Sequence, residues 1–346
     1  MDKIIIRADG NPELGSGHIM RCLAIANAAR KRNIECIFVT ADSSFSNVIN
    51  RFCFRNIVLN TKYDFLDPEI DELLKIIAAE KVSTILIDSY FVTEKYLNQI
   101  HKQVKTIYID DMYSFPYEVD LLTNYNIYSD EKKYLSLYNN SKCPKMLLGL
   151  RYAPLRDEFQ HIEPRKNKEK VENILVSAGG ADPEGMALRI AKILVKNEIY
   201  SEKYTFHFVI GAFEPNKKEI NELAFRYPWI KPHENITKMS LLMQSCDLAV
   251  SAAGSTLYEL CACGLPTITY ILADNQKEGA HSFEDNGLMI NAGDVRFDSD
   301  FDEKLFQKIV FLISNRKFCT KVSERQQKLI DGQGASRIVD NIISFM

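Results

Sequence analysis

The sequence predicts an α/β protein of two domains, each built on a mainly parallel sheet. The chain has 346 residues, which exceeds the ~250–300 residues at which single hydrophobic cores stop growing. In both halves, short apolar runs alternate with longer amphipathic patterns, as strands and crossover helices do in parallel sheets. The hydrophobic share is 46% and the charged share 26%, so disorder and coiled coil are excluded as the main state.

The first domain is predicted over residues 1–155. Its apolar β-rich runs predict strands over 3–8, 36–40, 56–59, 84–88 and 105–110. Apolar residues at three- and four-residue spacing predict helices over 19–32, 68–81 and 93–102.

A linker is predicted where the alternation stops, over residues 151–170. Pro154 and Pro164 interrupt this stretch, and residues 165–170 read RKNKEK, with almost nothing to bury. An exposed loop within one large domain is the alternative.

The second domain is predicted over residues 170–333, where the alternation restarts. Strands are expected over 172–177, 205–210, 248–251 and 266–270, and helices over 183–195, 215–225, 255–263 and 275–286. A final helix over 334–346 could pack on either domain. Ligands of open parallel sheets bind beyond the carboxyl ends of the strands, so two such sheets predict a ligand cleft between the domains.

Composition limits the partners that we expect. Forty-three basic and forty-six acidic residues give a net charge of −3, so no general positive field attracts nucleic acid or anionic lipid. The eight cysteines form no CxxC pair and predict reduced thiols. The sequence begins MDK without a signal-peptide pattern, and no apolar run reaches the ~18 residues of a membrane span. We therefore expect a cytoplasmic protein without membrane insertion or an obligate protein partner.

The loop after the first strand, DGNPELGSGHIMR over residues 9–21, is the most informative segment. Gly15 and Gly17 allow the backbone to approach a ligand closely, and the first amides of the following helix can bind an anion. A Walker A loop is excluded because His18 follows the last glycine, where that motif has lysine.

A dinucleotide-binding fingerprint fits this loop poorly. Its third glycine is replaced by Met20. Asp42, at the end of the second strand, still resembles the acid that binds a ribose in that fold, so a dehydrogenase remains an alternative.

His18 is the predicted catalytic residue. Helix N-termini disfavour an imidazolium, and a neutral imidazole is what a general base requires. The alternative is that His18 only caps the helix. The other histidines lack such a setting: His101, His161, His207, His233 and His281.

A second turn of small residues lies in VSAAGSTLYELCACGLP, over residues 250–266. Gly254, Ser255 and Thr256 would offer backbone amides and hydroxyls to a diphosphate. Glu259 lies four residues after Ser255, on the same helix face, where its carboxylate could accept both hydroxyls of a ribose. A plain helix cap with a solvated glutamate is the alternative.

Two further strand-to-helix junctions carry weaker signals. Gly179 and Gly180 follow the first strand of the second half, and Asn275 and Gln276 could hold sugar hydroxyls or acetamido groups. No cluster has the ligand spacing of a zinc site, so we expect no metal and no cofactor.

Taken in order along the chain, these segments resemble the PseG family of UDP-sugar hydrolases, relatives of the MurG-like glycosyltransferases. The shared segments are RADG, GSGHIMRC, IDSY, IDD, LLGLRYAPLRDEF, SAGGADP, SAAGSTLYE and DNQ. The resemblance implies a GT-B fold, with two Rossmann-like domains around a cleft.

The resemblance also implies roles for individual residues. The family's catalytic histidine falls on His18, its ribose-binding glutamate on Glu259, and a sugar-side asparagine on Asn275. Tyr90 matches an aromatic position of the sugar site. The predicted substrate-binding residues are Gly15, Gly17, Arg21, Tyr90, Gly179, Gly180, Gly254, Ser255, Thr256, Glu259, Asn275 and Gln276.

The implied reaction is hydrolysis of UDP-2,4-diacetamido-2,4,6-trideoxy-β-L-altropyranose at the anomeric C–O bond, in pseudaminic acid biosynthesis. His18 would deprotonate a water opposite the departing UDP, which predicts inversion. Two alternatives remain open: a glycosyltransferase that uses an acceptor hydroxyl instead of water, and a nucleotide-sugar binding protein without catalysis.

Overall fold

A computed structural model describes residues 2–11, 13–139, 142–180, 182–197, 203–211 and 214–345. The chain divides into two compact units. The first comprises Met1–Asp157 and Gly332–Met346, and the second comprises Glu158–Asp331. The predicted stretch 151–170 therefore contains the division, and short 3-10 turns at Leu150–Tyr152 and Asp157–Phe159 lie within it.

The first unit contains a seven-stranded parallel sheet. Its strands are β1 (Lys3–Ala8), β2 (Glu35–Thr40), β3 (Arg55–Val58), β4 (Thr84–Asp88), β5 (Lys105–Ile109), β6 (Leu121–Asn124) and β7 (Lys145–Leu148). Its helices are α1 (Gly17–Arg30), α2 (Ser46–Arg51), α3 (Ile70–Glu80), α4 (Glu94–His101) and α5 (Glu131–Tyr138).

The order of strands in this sheet is β3-β2-β1-β4-β5-β6-β7, so the order reverses between β1 and β4. Open α/β sheets bind ligands at such a point, beyond the carboxyl ends of the strands. Five consecutive residues of β4 are buried, because helices cover both faces of a parallel sheet. The three central residues of β4, Ile85, Leu86 and Ile87, are therefore all apolar, without alternation.

The second unit contains a six-stranded parallel sheet. Its strands are β8 (Asn173–Ser177), β9 (Thr205–Val209), β10 (Ile230–His233), β11 (Leu248–Ala252), β12 (Thr267–Ile271) and β13 (Ile290–Asp294). Its helices are α6 (Met186–Lys196), α7 (Lys217–Arg226), α8 (Met239–Ser245), α9 (Thr256–Ala262), α10 (Lys277–Asp285), α11 (Phe301–Ser314) and α12 (Arg316–Leu329). The order β10-β9-β8-β11-β12-β13 reverses between β8 and β11.

The C-terminal helix, α13 (Gly334–Ile343), returns to the first unit. Arg32, which follows α1, donates from Nε to Oδ1 of Asp340 at 2.7 Å. A Cβ on Gly334 would lie 2.1 Å from the carbonyl oxygen of Ala153, so glycine is required at this contact. Met346, the last residue of the predicted helix, lies outside the described residues.

The predicted strands occur at their predicted places, with ends that differ by about one residue, and the prediction of parallel α/β sheets is confirmed. Sequence patterns missed β6, β7, β10 and β13, which have four or five residues each. β10 is an edge strand and contains Pro232, a residue that argues against a central strand. Within the part of the chain that the structure describes, no helix is long and apolar enough to cross a membrane.

Candidate active site and nucleotide-binding turns

The loop after β1 forms a tight turn that leads into α1. Gly15 donates its backbone N–H to the carbonyl of Asn11 at 2.8 Å, with a φ of 74° that favours glycine. The side-chain Oδ1 of Asn11 accepts from the backbone N–H groups of Glu13 and Leu14, at 2.9 and 2.8 Å. This turn sets His18 in the first turn of α1, the predicted position.

His18 contacts a carboxylate that lies at the end of the neighbouring strand. The last residue of β1, Ala8, pairs with Asp88 at the end of β4. Nδ1 of His18 lies 2.7 Å from Oδ1 of Asp88, and the two residues are 4% and 1% exposed. Nη2 of Arg21 also lies 3.0 Å from Nδ1, but an ionised carboxylate only accepts hydrogen bonds, so in a neutral ring we assign the proton to Nδ1. The Nε2 atom then carries the lone pair that a base needs.

Arg21 holds Asp88 in its ionised form. It follows His18 by one helical turn and donates from Nε to Oδ2 of Asp88 at 2.6 Å, while Nη2 bonds to Oδ1. Burial would raise the pKa of Asp88, but the charge of Arg21 and the contact with His18 outweigh it, and the pKa lies well below its usual value. The third guanidinium nitrogen donates to the hydroxyl of Tyr125 at 2.7 Å. Binding of substrate by Arg21 stays a prediction.

Tyr90 and Asp111 lie at the same edge of the sheet. The Tyr90 ring meets the His18 ring edge to face, with centroids 4.5 Å apart and an interplanar angle of 78°. Asp111 follows β5 and accepts from Nδ2 of Asn126 at 3.0 Å. Burial, and then the charge of Asp111, raise the pKa of the Tyr90 phenol, so Tyr90 is a hydrogen-bond donor at neutral pH.

A buried ionic network supports the start of the loop after β1. Arg7 in β1 is 0% exposed and donates to both carboxylate oxygens of Glu69, at 2.6 and 3.0 Å. It also donates to Asp9 at 2.6 Å, and the other oxygen of Asp9 accepts from the backbone N–H of Ala41 at 2.7 Å. The network therefore fixes the residue that precedes Gly10.

The sequence did not single out Asp88 as a partner of His18. Asp88, Asp110 and Asp111 lie at the ends of predicted strands, where carboxylates more often cap turns. Asp110 does cap a turn, since it accepts from the backbone N–H groups of Met112 and Tyr113 at 3.0 and 3.1 Å. The sequence shows that Asp88 ends a strand. It does not show that this strand lies next to β1, and only the strand order brings Asp88 to His18.

The predicted residues of the second unit also follow neighbouring strands. Gly179 and Gly180 follow β8, Gly254 and Ser255 follow β11, and these two strands are paired, with Ser177 opposite Ser251. Because the strands are parallel, the two turns lie at the same edge of the sheet, at its switch point.

The predicted binding residues after β11 and β12 differ in their burial and hydrogen bonds. Ser255 is the N-cap of α9 but makes no side-chain cap bond, and Glu259 lies half-buried in the first turn of that helix. The backbone N–H of Leu272, at the end of β12, donates to Oε1 of Gln276 at 2.8 Å, so Gln276 stabilises its own turn, whereas Asn275 is exposed. Thr256 is the first residue of α9. Substrate contacts of these residues stay predictions.

Comparison with known proteins finds relatives of this chain in sequence and in structure. Residues 173–340 match the glycosyltransferase family 28 C-terminal domain. An uncharacterised protein of Methanocaldococcus jannaschii is 29% identical over 80% of this chain, and the match spans 57% of that protein's length. The UDP-2,4-diacetamido-2,4,6-trideoxy-β-L-altropyranose hydrolase of Campylobacter jejuni is 28% identical over 72% of this chain and 85% of its own length.

The solved structure of MurG from Acinetobacter baumannii superposes on the whole chain, with full coverage of both proteins, a TM-score of 0.71 and 12% identity. The chain thus has a GT-B-like fold of two Rossmann-like units, as predicted. The resemblance to the PseG-type hydrolases and to MurG-like proteins is confirmed by these relatives.

Proposed function

We propose that the chain hydrolyses a UDP-linked sugar at its anomeric carbon and releases UDP and the free sugar. The observation that carries this proposal is the buried pair of His18 and Asp88 at the switch point of the first sheet, in which Nδ1 of His18 lies 2.7 Å from Oδ1 of Asp88. The name of the Campylobacter relative supports UDP-2,4-diacetamido-2,4,6-trideoxy-β-L-altropyranose as the substrate.

In the proposed reaction, Nε2 of His18 removes a proton from a water molecule whose oxygen attacks C1 of the sugar. The bond between C1 and the diphosphate oxygen breaks on the opposite side, and its electron pair leaves with UDP. Asp88 stabilises the imidazolium that forms, as a carboxylate does behind other catalytic histidines. A single displacement inverts the configuration at C1.

The second unit is proposed to bind the nucleotide. Backbone N–H groups at Gly254 and Ser255 would stabilise the charge that develops on the diphosphate, and the carboxylate of Glu259 would accept the ribose hydroxyls. This scheme uses charge stabilisation by the protein alone, so the proposed reaction needs no added metal.

A glycosyltransferase is the second candidate function. The match to the glycosyltransferase family 28 C-terminal domain and the similarity to MurG favour it. The same histidine would then deprotonate an acceptor hydroxyl instead of water. The two reactions differ only in the nucleophile, so the requirement for an acceptor separates them.

The deciding experiment incubates the purified protein with the UDP-sugar, without an acceptor and with EDTA present, and measures UDP and free sugar. Hydrolysis predicts equal amounts of both products over many turnovers. A transferase predicts turnover only after an acceptor is added. A binding protein predicts saturable UDP binding without either product, and that result would contradict both enzymatic candidates.

A further inference from the structure

The glycine turn after β8 leads to a buried carboxylate. Gly179 has a φ of 89°, and Asp182 has a φ of 42° and is 1% exposed. The two carboxylate oxygens of Asp182 accept from the backbone N–H groups of Met186 and Ala187, each at 2.8 Å. Asp182 therefore connects the glycine turn to the start of α6.

The loop after β9 lies directly against this glycine turn. A Cβ on Gly211 would lie 2.4 Å from the carbonyl oxygen of Gly180 and 2.7 Å from that of Gly179. Real Cβ atoms do not approach backbone oxygens so closely, so any side chain at position 211 would displace the turn. The conformations of the two loops are thus coupled through their backbones.

A second carboxyl group joins the same two loops. Glu214, which is 9% exposed, follows Gly211 by three residues, and its Oε1 accepts from the backbone N–H of Asn216 at 2.9 Å. Its carboxyl group also lies close enough to the carboxyl group of Asp182 for the two to interact. Two ionised carboxylates have only acceptors, so a hydrogen bond between these two groups would require a proton on one of them.

We propose that Glu214 is a positioning residue, which shares one proton with Asp182 and thereby holds the turn of Gly179 and Gly180 in place for the nucleotide. The role of the turn rests on the proposed function, whereas the shared proton does not. Both oxygens of Asp182 accept backbone N–H bonds, which favours its ionised form and assigns the proton to Glu214.

Burial and the neighbouring charges agree with this assignment. Burial, and then the charge of Asp182, raise the pKa of Glu214 to about 7, and burial raises the pKa of Asp182 as well. The other titratable groups that act on the pair are Glu184, whose charge opposes ionisation of Asp182, and Tyr270 of β12, whose pKa burial and both carboxylates raise. The pair titrates as a unit.

The pKa of Glu214 determines how its contribution to stability changes with pH. Since the pKa of Glu214 is higher in the folded protein, its stabilising contribution is present below the ordinary glutamate pKa of ~4.3 and is lost as pH rises through about 7. Above that pH, two adjacent carboxylates repel each other and the two loops separate. UDP binding should therefore weaken as the solution becomes alkaline.

The test compares wild type with Glu214→Gln, whose amide can donate the same hydrogen bond at every pH. Glu222→Gln is the control, because Glu222 is an exposed carboxyl group on α7 and is not among the groups that act on the pair. The melting temperature and the Kd for UDP are measured from about pH 6 to about pH 8.5. The ionisation of UDP itself is common to all the proteins, so only differences between them are interpreted.

We expect wild type and Glu222→Gln to lose melting temperature and about five-fold or more in UDP affinity over this range, while Glu214→Gln changes little. Glu214→Ala, which lacks the bond, should bind UDP weakly at every pH.

The shared proton would be contradicted if the melting temperatures of wild type and Glu214→Gln changed with pH by the same amount. The positioning role would be contradicted if the melting temperatures of wild type and Glu214→Gln depended differently on pH while their affinities for UDP depended on pH in the same way. Absence of UDP binding to wild type would refute the proposed nucleotide site, and the melting curves would still test the proton.

Discussion

Nδ1 of His18 lies 2.7 Å from Oδ1 of Asp88, although 70 residues separate them in the sequence. The contact forms because β1 and β4 are adjacent and parallel, so a loop after one strand meets the end of the other. Arg21 donates hydrogen bonds to the carboxylate of Asp88 and to the hydroxyl of Tyr125. The histidine is thus held by a buried charge pair.

Replacing His18 by alanine should abolish turnover and leave the affinity for UDP within a few-fold of wild type. The imidazole is the proposed base, whereas nucleotide contacts are proposed in the second unit. Steady-state kinetics measures the first effect and isothermal titration calorimetry the second. His281→Ala removes an exposed histidine and serves as the control. Loss of UDP binding with turnover retained would show that the role of His18 is misassigned.

Asp88→Asn should lower kcat by about 10²–10⁴-fold, with a smaller effect on KM, because the amide no longer fixes the proton on Nδ1. The variant leaves the charge of Arg21 buried, so its melting temperature should also fall. Asp64→Asn, at an exposed position, controls for the loss of a carboxylate. Wild-type kcat in a folded Asp88→Asn protein would exclude the proposed orientation of His18.

Glu259→Ala should weaken UDP binding by ~1–3 kcal/mol, the usual consequence of losing a charged hydrogen-bond partner. The effect should be largest for UDP and smaller for 2′-deoxy-UDP, which lacks one of the ribose hydroxyls. Calorimetry with both ligands measures the difference. Glu222→Ala, on the exposed face of α7, provides the comparison. Equal losses for both ligands would argue against ribose contact.

Arg7→Met should reduce the free energy of unfolding by about 3–5 kcal/mol, since it leaves Asp9 and Glu69 buried without their cation. Urea denaturation measures this change. Arg55→Met removes an arginine whose partner is Glu80 and whose side chain is 56% exposed, so it should cost at most about 1 kcal/mol. Similar losses in the two variants would contradict a special role for the buried network.

Several parts of the candidate site could be predicted from the sequence because they are close together in it. Gly15 and His18 lie within one loop, and Gly254, Ser255 and Glu259 lie within one turn and helix, so spacing alone groups them. Local pattern also located the long buried strands, where apolar runs are continuous. Local pattern did not predict the edge strand β10, because it contains Pro232 and proline is rare within strands.

The amino-acid sequence by itself determined the two α/β units, the parallel sheets and the position of His18 at the start of a helix, because periodicity and turn residues are properties of neighbouring positions. Only the tertiary structure brought Asp88 to His18, Glu69 to Arg7 and Glu214 to Asp182, since strand order and loop contact decide which distant residues meet. Each of these pairs is buried, where a polar group without a partner is costly, so the tertiary contacts stabilise groups that are far apart in the sequence.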